Sequence, residues 1–277
     1  MKYDLDSIVK LVKDVSTGDN LRDSTDKNSF MLMPNWWHEA TGTTGIPYGG
    51  YVMLAGDSDS GKTSAAIEAM RSAQDQDCAI LYIETENKTS KNDLKRWGVD
   101  PSRVMLVKDS VAESLYKKTF DLVDAFMKKY PDGKLLIVYD SVGNVLSKHD
   151  MDMDIAEDNQ RPGGKGKTNR LGLSKLITLS RNRQIATLIV NYTYDNIGSP
   201  GKTNAGGRAL NFYSSLTYQT TRKAWIERVV KGRKVRVGAK VQWKLFKNHI
   251  NKDAPGPKVI ELDITSEGIK YVGSSED

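Results

Sequence analysis

Cysteine is nearly missing from this chain: Cys78 is the only one among 277 residues. A disulfide framework is therefore excluded, and with just three scattered histidines no zinc cluster is expected. A reducing, cytoplasmic setting fits this usage. Long apolar runs are missing too, and none approaches the roughly 20 residues that a membrane-crossing helix needs. The start, Met1-Lys2-Tyr3-Asp4, is polar and unlike a secretory leader. No internal repeat and no long low-complexity tract is present, which leaves an unrepeated architecture.

Acidic residues are scarce over one long stretch. Residues 159–252 hold 20 Lys and Arg against only Asp195 and Glu227, a net charge of +18. The whole chain carries +6, so the remainder carries −12. A solvated basic surface is the plain alternative. An excess sustained over some 94 residues, rather than one helix, instead implies a polyanionic partner for that half.

Hydrophobic content of 38% and this length suit one large α/β domain with a small appendage. Leu5, Ile8, Val9, Val12 and Val15 recur at helical spacing and predict a short amphipathic helix, with a polar linker over 16–29. Residues 1–35 are thus expected as helix and linker, and 36–277 as the core. A short strand is expected near 30–32. In the core, strands are expected at 51–55, 79–83, 103–107, 135–139 and 185–190, and helices at 64–73, 112–129 and 171–181, with 94–97 ending a further helix before Gly98. Strands alternating with helices predict a mostly parallel sheet covered on both faces. After residue 210 successive strands follow at 216–221, 224–230, 234–245 and 259–264, with a hairpin turn at Lys231-Gly232-Arg233.

Gly56-Asp57-Ser58-Asp59-Ser60-Gly61-Lys62-Thr63 fits G-x-x-x-x-G-K-[ST] between an expected strand and an expected helix. Glycines let the backbone curl around phosphate oxygens, and N–H groups converge on the anion at the helix start. Lys62 is expected to reach the β- and γ-phosphates, and the Thr63 hydroxyl to hold Mg²⁺. Asp140 closes an apolar strand and supplies the second metal-side carboxylate. A group to orient the attacking water is also needed. Glu84 and Glu86, two apart at a strand end, both qualify by spacing.

Further segments carry a family resemblance: Leu94-Lys95-Arg96-Trp97-Gly98-Val99-Asp100-Pro101, Asp140-Ser141-Val142-Gly143-Asn144, Val190-Asn191-Tyr192-Thr193-Tyr194 and, most distinctive, Ala205-Gly206-Gly207-Arg208-Ala209-Leu210-Asn211-Phe212-Tyr213. With the two nucleotide motifs, they resemble the RecA-like recombinases over about residues 42–269, the phage UvsX type most closely. The resemblance implies a RecA-like P-loop ATPase core using ATP and Mg²⁺, with Glu86 as the catalytic carboxylate. It implies a first DNA-binding loop at about 147–169, carrying Arg161, Lys165 and Lys167 with Arg170 at its end. A second is implied at about 194–207, carrying Lys202 and ending in Gly206, Gly207 and Arg208.

Three positions depart from the family pattern. Tyr192 stands where a glutamine often senses the γ-phosphate. Asp93 stands where bacterial members stack an aromatic on adenine. Lys247-Asn248-His249 replaces a K-N-K segment that reaches a neighbour's nucleotide, so Lys247 and His249 are expected at an ATP site shared between protomers. The function implied is a DNA-stimulated ATPase that forms a helical filament on single-stranded DNA and pairs it with homologous duplex, with loading or single-strand-binding proteins as further partners. The N-terminal helix would dock on a neighbouring protomer. The rivals are a hexameric helicase of the same fold and a non-catalytic DNA-binding accessory subunit.

Overall fold

The computed structural model describes residues 26–152, 164–195, 202–251 and 256–275. The expected N-terminal helix lies outside them. In chain order the structure runs β1 (Phe30–Leu32), α1 (Asn35–Thr41), β2 (Gly45–Pro47), β3 (Tyr51–Gly56), α2 (Lys62–Asp75), β4 (Ala79–Glu84), α3 (Lys91–Arg96), β5 (Val104–Val107), α4 (Ala112–Lys129) and β6 (Leu135–Asp140). It continues with α5 (Lys148–Asp152), α6 (Gly164–Ser180), β7 (Ile185–Asp195), β8 (Lys202–Asn204), α7 (Ala209–Tyr213), β9 (Leu216–Val230), β10 (Arg233–Asn248), β11 (Val259–Thr265) and β12 (Gly268–Ser275).

One sheet organises the fold, in the order β12-β11-β10-β9-β3-β7-β6-β4-β5, with β8 added beside β7. From β9 to β5 all neighbours are parallel. From β9 outward through β10, β11 and β12 they are antiparallel. The parallel strands are near-continuous apolar runs because both faces are covered. Alternation within β3 divides them: Val52 and Leu54 face a core with Trp36, Trp37, Met70 and Trp243, while Tyr51 and Met53 face Tyr116, Phe120, Leu173 and Leu176. The second core is closed by α4, whose buried Ala112, Leu115, Tyr116, Thr119, Phe120 and Val123 recur three or four apart.

The antiparallel part differs in detail from the expectation. Segments 216–221 and 224–230 are one strand, because the register shift opposite Lys240/Val241 absorbs Lys223 as a bulge instead of ending the strand. The turn is Lys231-Gly232 alone, both at positive φ (51° and 75°), a two-residue hairpin, and Arg233 already belongs to β10. Strand β12 was not expected, although Ile269 is buried against the core and Tyr271 packs on it two residues on.

Both expected loops are shorter than their sequence suggests. Helix α6 starts at Gly164, so the end of the 147–169 segment is helical. Strand β7 runs on past residue 190 to Asp195 and pairs antiparallel with β8, so the described parts of the 194–207 segment begin in strand. At the other end, the expected boundary at residue 35 falls inside packed structure. Phe30 and Met31 are buried, β1 pairs with β2, and Gln76 brackets Leu32 by accepting its N–H (2.9 Å) and donating to its carbonyl (2.8 Å).

Trp243 joins this scaffold to the loop after β3. It is fully buried, meets Trp36 edge to face at 5.9 Å, and its indole N–H donates to the Ser60 carbonyl at 3.3 Å. Trp243→Phe keeps an aromatic ring and removes the donor. The expected cost is about 1–3 kcal/mol, read as a lower urea midpoint, because a buried carbonyl loses its partner. An unchanged midpoint would mean that the indole N–H does not hold the loop.

Candidate functional site

The loop between β3 and α2 is shaped by two close approaches that exclude side chains. A Cβ on Gly56 would lie 2.0 Å from the Thr220 carbonyl oxygen. One on Gly61, at φ +82°, would lie 1.9 Å from Ile264 Cδ1. Strand β9 braces the loop from outside. The Asp57 N–H donates to the Thr220 carbonyl (3.2 Å), the Ser60 and Thr220 hydroxyls are 2.6 Å apart, and Arg222 pairs with Asp59 at 2.9 Å. Lys62 Nζ lies across the mouth, donating to the carbonyls of Gly56 (3.0 Å) and Asp57 (2.5 Å). Burial lowers its pKa, and the negative charges of Asp140, Asp57, Glu86 and Asp59 work against that.

Thr63 and Asp140 meet: the threonine hydroxyl donates to Asp140 Oδ2 at 2.8 Å. Asp140 is buried, and its pKa is pushed up to about 6, chiefly by desolvation; Thr63 opposes this and the nearby Glu86 and Glu84 charges add to it. Among the described residues no group of three or more His, Cys, Asp or Glu side chains is placed to hold a metal. The donors here are all oxygen, and suit a hard cation such as Mg²⁺ that takes its other positions from phosphate and water. Thr63 and Asp140 are the residues that would hold it.

Glu84 and Glu86 occupy different environments. Glu84, the last residue of β4, is buried; its Oε1 accepts the backbone N–H groups of Glu86 (3.1 Å) and Lys88 (3.0 Å), so it shapes the turn. Glu86 lies beyond the strand and lines a cavity of about 420 Å³ together with Gly56, Lys62, Thr63, Asp140 and Tyr192. Its Oε1 accepts from Ser141 Oγ (2.9 Å) and from Asn144, and its Oε2 accepts from Lys88. Burial disfavours its charge, but these hydrogen bonds and the charges of Lys88 and Lys62 outweigh that and lower its pKa. Lys88, Ser141, Asn144 and Thr220 were not read as site residues from the sequence. Ser141 and Asn144 lay in a quoted segment, whereas Lys88 carried no signal.

Described residues of the expected DNA loops contact the segment after β6 and each other. The Gly143 carbonyl accepts from the Tyr192 hydroxyl (3.1 Å) and from Lys165 Nζ (2.5 Å). Asn169 Nδ2 donates to the Gly206 carbonyl (2.9 Å), which ties the start of α6 to the Gly206-Gly207 segment. Lys167, Arg170 and Arg208 are exposed nearby in sequence to these contacts. Arg161 and the Lys202 side chain lie outside the described part. Lys247 and His249 are not brought to this cavity: Lys247 Nζ donates to the carbonyls of Asn211 and Phe212 (2.8 Å each), and the His249 N–H to the Ser215 carbonyl (2.7 Å). Asp93 caps the start of α3 with Ser90.

Asp140 gives a pH test with a definite sign. Its folded pKa lies above the ordinary 3.8, so the folded chain binds the extra proton. That stabilisation is complete below pH 4 and is lost as pH rises through about 6. Asp140→Asn should therefore unfold less readily than wild type at pH 7.5, by on the order of 2–3 kcal/mol without nucleotide. The gap should shrink towards pH 4.5. Urea unfolding across that range checks it, and a gap independent of pH would refute the assignment.

Comparison with known proteins places the chain in a family. A profile described as RecA N-terminal domain matches residues 15–270. The chain is similar to Protein RecA of Sulfurovum sp. (strain NBC37-1), with 28% identity over 244 residues, 86% of this chain and 66% of that protein. It is similar to Protein RecA of Clostridioides difficile (strain 630), with 28% identity over 243 residues, 86% of this chain and 65% of that protein. Protein RecA of Macrococcus caseolyticus (strain JCSC5402) is 28% identical over 284 residues, 99% of this chain and 76% of that protein. The chain thus spans a little under two thirds of the length of the first two relatives. With the profile running over most of its length, the chain belongs to the RecA N-terminal domain family.

Proposed function

We propose that this chain is an ATP-dependent recombinase: a DNA-stimulated ATPase that assembles as a helical filament on single-stranded DNA and promotes pairing and strand exchange with homologous duplex. The observation that carries this is one cavity lined by Lys62, Thr63, Asp140 and Glu86; its wall residues Ser141 and Asn144 flank Gly143, whose carbonyl accepts from Lys165 and Tyr192. Family membership supports it. The kinship with the phage UvsX type rests on the quoted segments alone.

In this reading the loop 56–63 and Lys62 bind the phosphates of ATP. Thr63 and Asp140 hold Mg²⁺, which when bound neutralises charge on the phosphates. Glu86 accepts a hydrogen bond from the attacking water and orients it. Arg161, Lys165, Lys167, Arg170, Lys202 and Arg208, with the Gly206-Gly207 turn, track the DNA backbone. That task needs positive charge more than base-specific groups. Lys247 and His249 complete a neighbour's nucleotide site, and the N-terminal helix docks on the adjoining protomer. A heterologous contact whose rotation does not close gives a filament.

Turnover with and without single-stranded DNA, read beside negative-stain images, tests the proposal. Expected are DNA-stimulated hydrolysis and filaments; closed rings would favour a hexameric helicase, and no turnover a non-catalytic accessory subunit. Glu86→Gln should keep ATP-dependent DNA binding and lose about 10²–10⁴-fold in turnover. Glu84→Gln keeps an acceptor for both N–H groups and should lose less, so the reverse ranking would displace Glu86 from the catalytic role. DNA affinity should fall with salt at a log–log slope of about −0.7 per phosphate neutralised, and flatten when Lys167 and Arg170 are both replaced by Gln.

A further inference from the structure

Lys88 stands in the phosphate cavity without a part in the scheme above. It lies on the turn after β4, and β4 is three strands away from β3 in the sheet, so it enters from a different wall than Lys62. Its backbone is anchored, because its N–H donates to the buried Glu84 carboxylate at 3.0 Å. Its side chain is 77% exposed and, among the described residues, its ammonium is held by Glu86 Oε2 alone. A fixed Cα with a solvated, rotatable ammonium is a cation that can change partner at little cost.

Glu86 is the group whose freedom matters. Its Oε1 is occupied by Ser141 and Asn144, both on the loop after β6. Its Oε2 is occupied by Lys88. A carboxylate that orients water needs an oxygen to offer, and Oε2 is the one whose partner is not fixed to the sheet. Lys247, the other candidate cation beyond the phosphate loop, is engaged with the carbonyls of Asn211 and Phe212 within its own chain.

We propose that Lys88 is a phosphate-contacting residue acting within its own protomer, which passes from Glu86 Oε2 to the terminal phosphate when a nucleoside triphosphate binds. The exchange does two things at once. It adds a cation at the phosphate that is to be transferred, and it releases a Glu86 oxygen to the attacking water. A doubly charged phosphoryl group with three acceptor oxygens competes well for an exposed ammonium against a single carboxylate. A diphosphate lacks the group that draws Lys88 away, so the Glu86–Lys88 pair persists with ADP and Glu86 stays blocked. The pair thereby distinguishes substrate from product before any neighbour or DNA arrives.

This rests on the proposed ATPase reading, and calorimetry on the full chain with Mg²⁺ and without DNA separates the two. The probes are a β,γ-imido ATP analogue and ADP. Lys88→Met should weaken the analogue about tenfold or more while ADP stays within about twofold, the loss expected of one charge-assisted contact. Lys88→Arg should recover most of the difference. Glu86→Gln weakens the competing pair and should tighten the analogue, and that gain should vanish in a Lys88→Met background. Equal losses for analogue and ADP, no loss for either, or a Glu86→Gln gain that survives without Lys88 would each overturn the exchange. Wild-type protein that binds neither probe would instead overturn the ATPase reading itself.

Discussion

The hydrogen bond from Thr63 to Asp140 is the contact on which the site depends. It joins the first turn of α2 to the end of β6 at 2.8 Å, across a sheet in which β7 lies between β3 and β6. Asp140 is buried for that contact, close to Glu84 and Glu86, and burial together with those like charges opposes its ionisation. The half-buried Lys62 is the only cation among the main influences on Asp140, and it too is desolvated. Such a cluster costs folding free energy and is relieved by a partner that brings both an anion for Lys62 and a cation for Asp140. A metal–polyphosphate complex does both. In the proposed function the instability of the ligand-free site and its affinity for such a ligand would therefore have one origin.

A second junction lies at the Gly143 carbonyl. Tyr192 arrives from β7, which continues into the hairpin with β8, and Lys165 arrives from the first turn of α6. The neighbouring Ser141 and Asn144 hold Glu86. Tyr192 thus lines the cavity and places its hydroxyl on the Gly143 carbonyl, while its own strand leads into the second expected loop. In the proposed function Lys165 would have two claims on it, the Gly143 carbonyl and a DNA phosphate. Withdrawing it towards DNA would alter the segment that positions Glu86. Contiguity of this kind is the physical precondition for coupling between two sites.

How much could be read in advance follows from burial. Strands β3, β4 and β6 are buried on both faces, so their apolar runs stand out in the sequence. Strand β12 is half-exposed and carries Gly268 and Gly273, which mask its alternation. The start of α6 reads as a loop because Gly164 and Gly166 are poor helix formers; tertiary bonds from Thr168 to Glu113 and Asn169 to Gly206 hold it. The phosphate loop was legible because its glycines answer a local backbone demand. Glu84 and Glu86 were not separable by spacing, since a period of two puts both on one face of a strand. The strand ends at Glu84, so that rule stops applying between them.

The basic half illustrates the opposite limit, where counting overstates what is free to act. Beyond the last pairing with β11, the β9–β10 hairpin carries Arg228, Lys231, Arg233, Lys234 and Arg236, all exposed. At its base the guanidinium groups of Arg222 and Arg236 lie 4.3 and 4.7 Å from the ring centre of Trp225, and Arg222 also pairs with Asp59 of the phosphate loop. Arg228 pairs with Glu267 and Lys234 with Glu227. The arginines on Trp225 serve the fold first, because both guanidinium groups cover the indole and the charge of Arg222 braces the loop through Asp59. The surface pairs are weak and open to exchange with a phosphate at about 0–1 kcal/mol each. Among the described residues of this stretch the cations therefore form two populations, those held by partners within the chain, such as Arg222 and Lys247, and those that are exposed, such as Lys167 and Arg170.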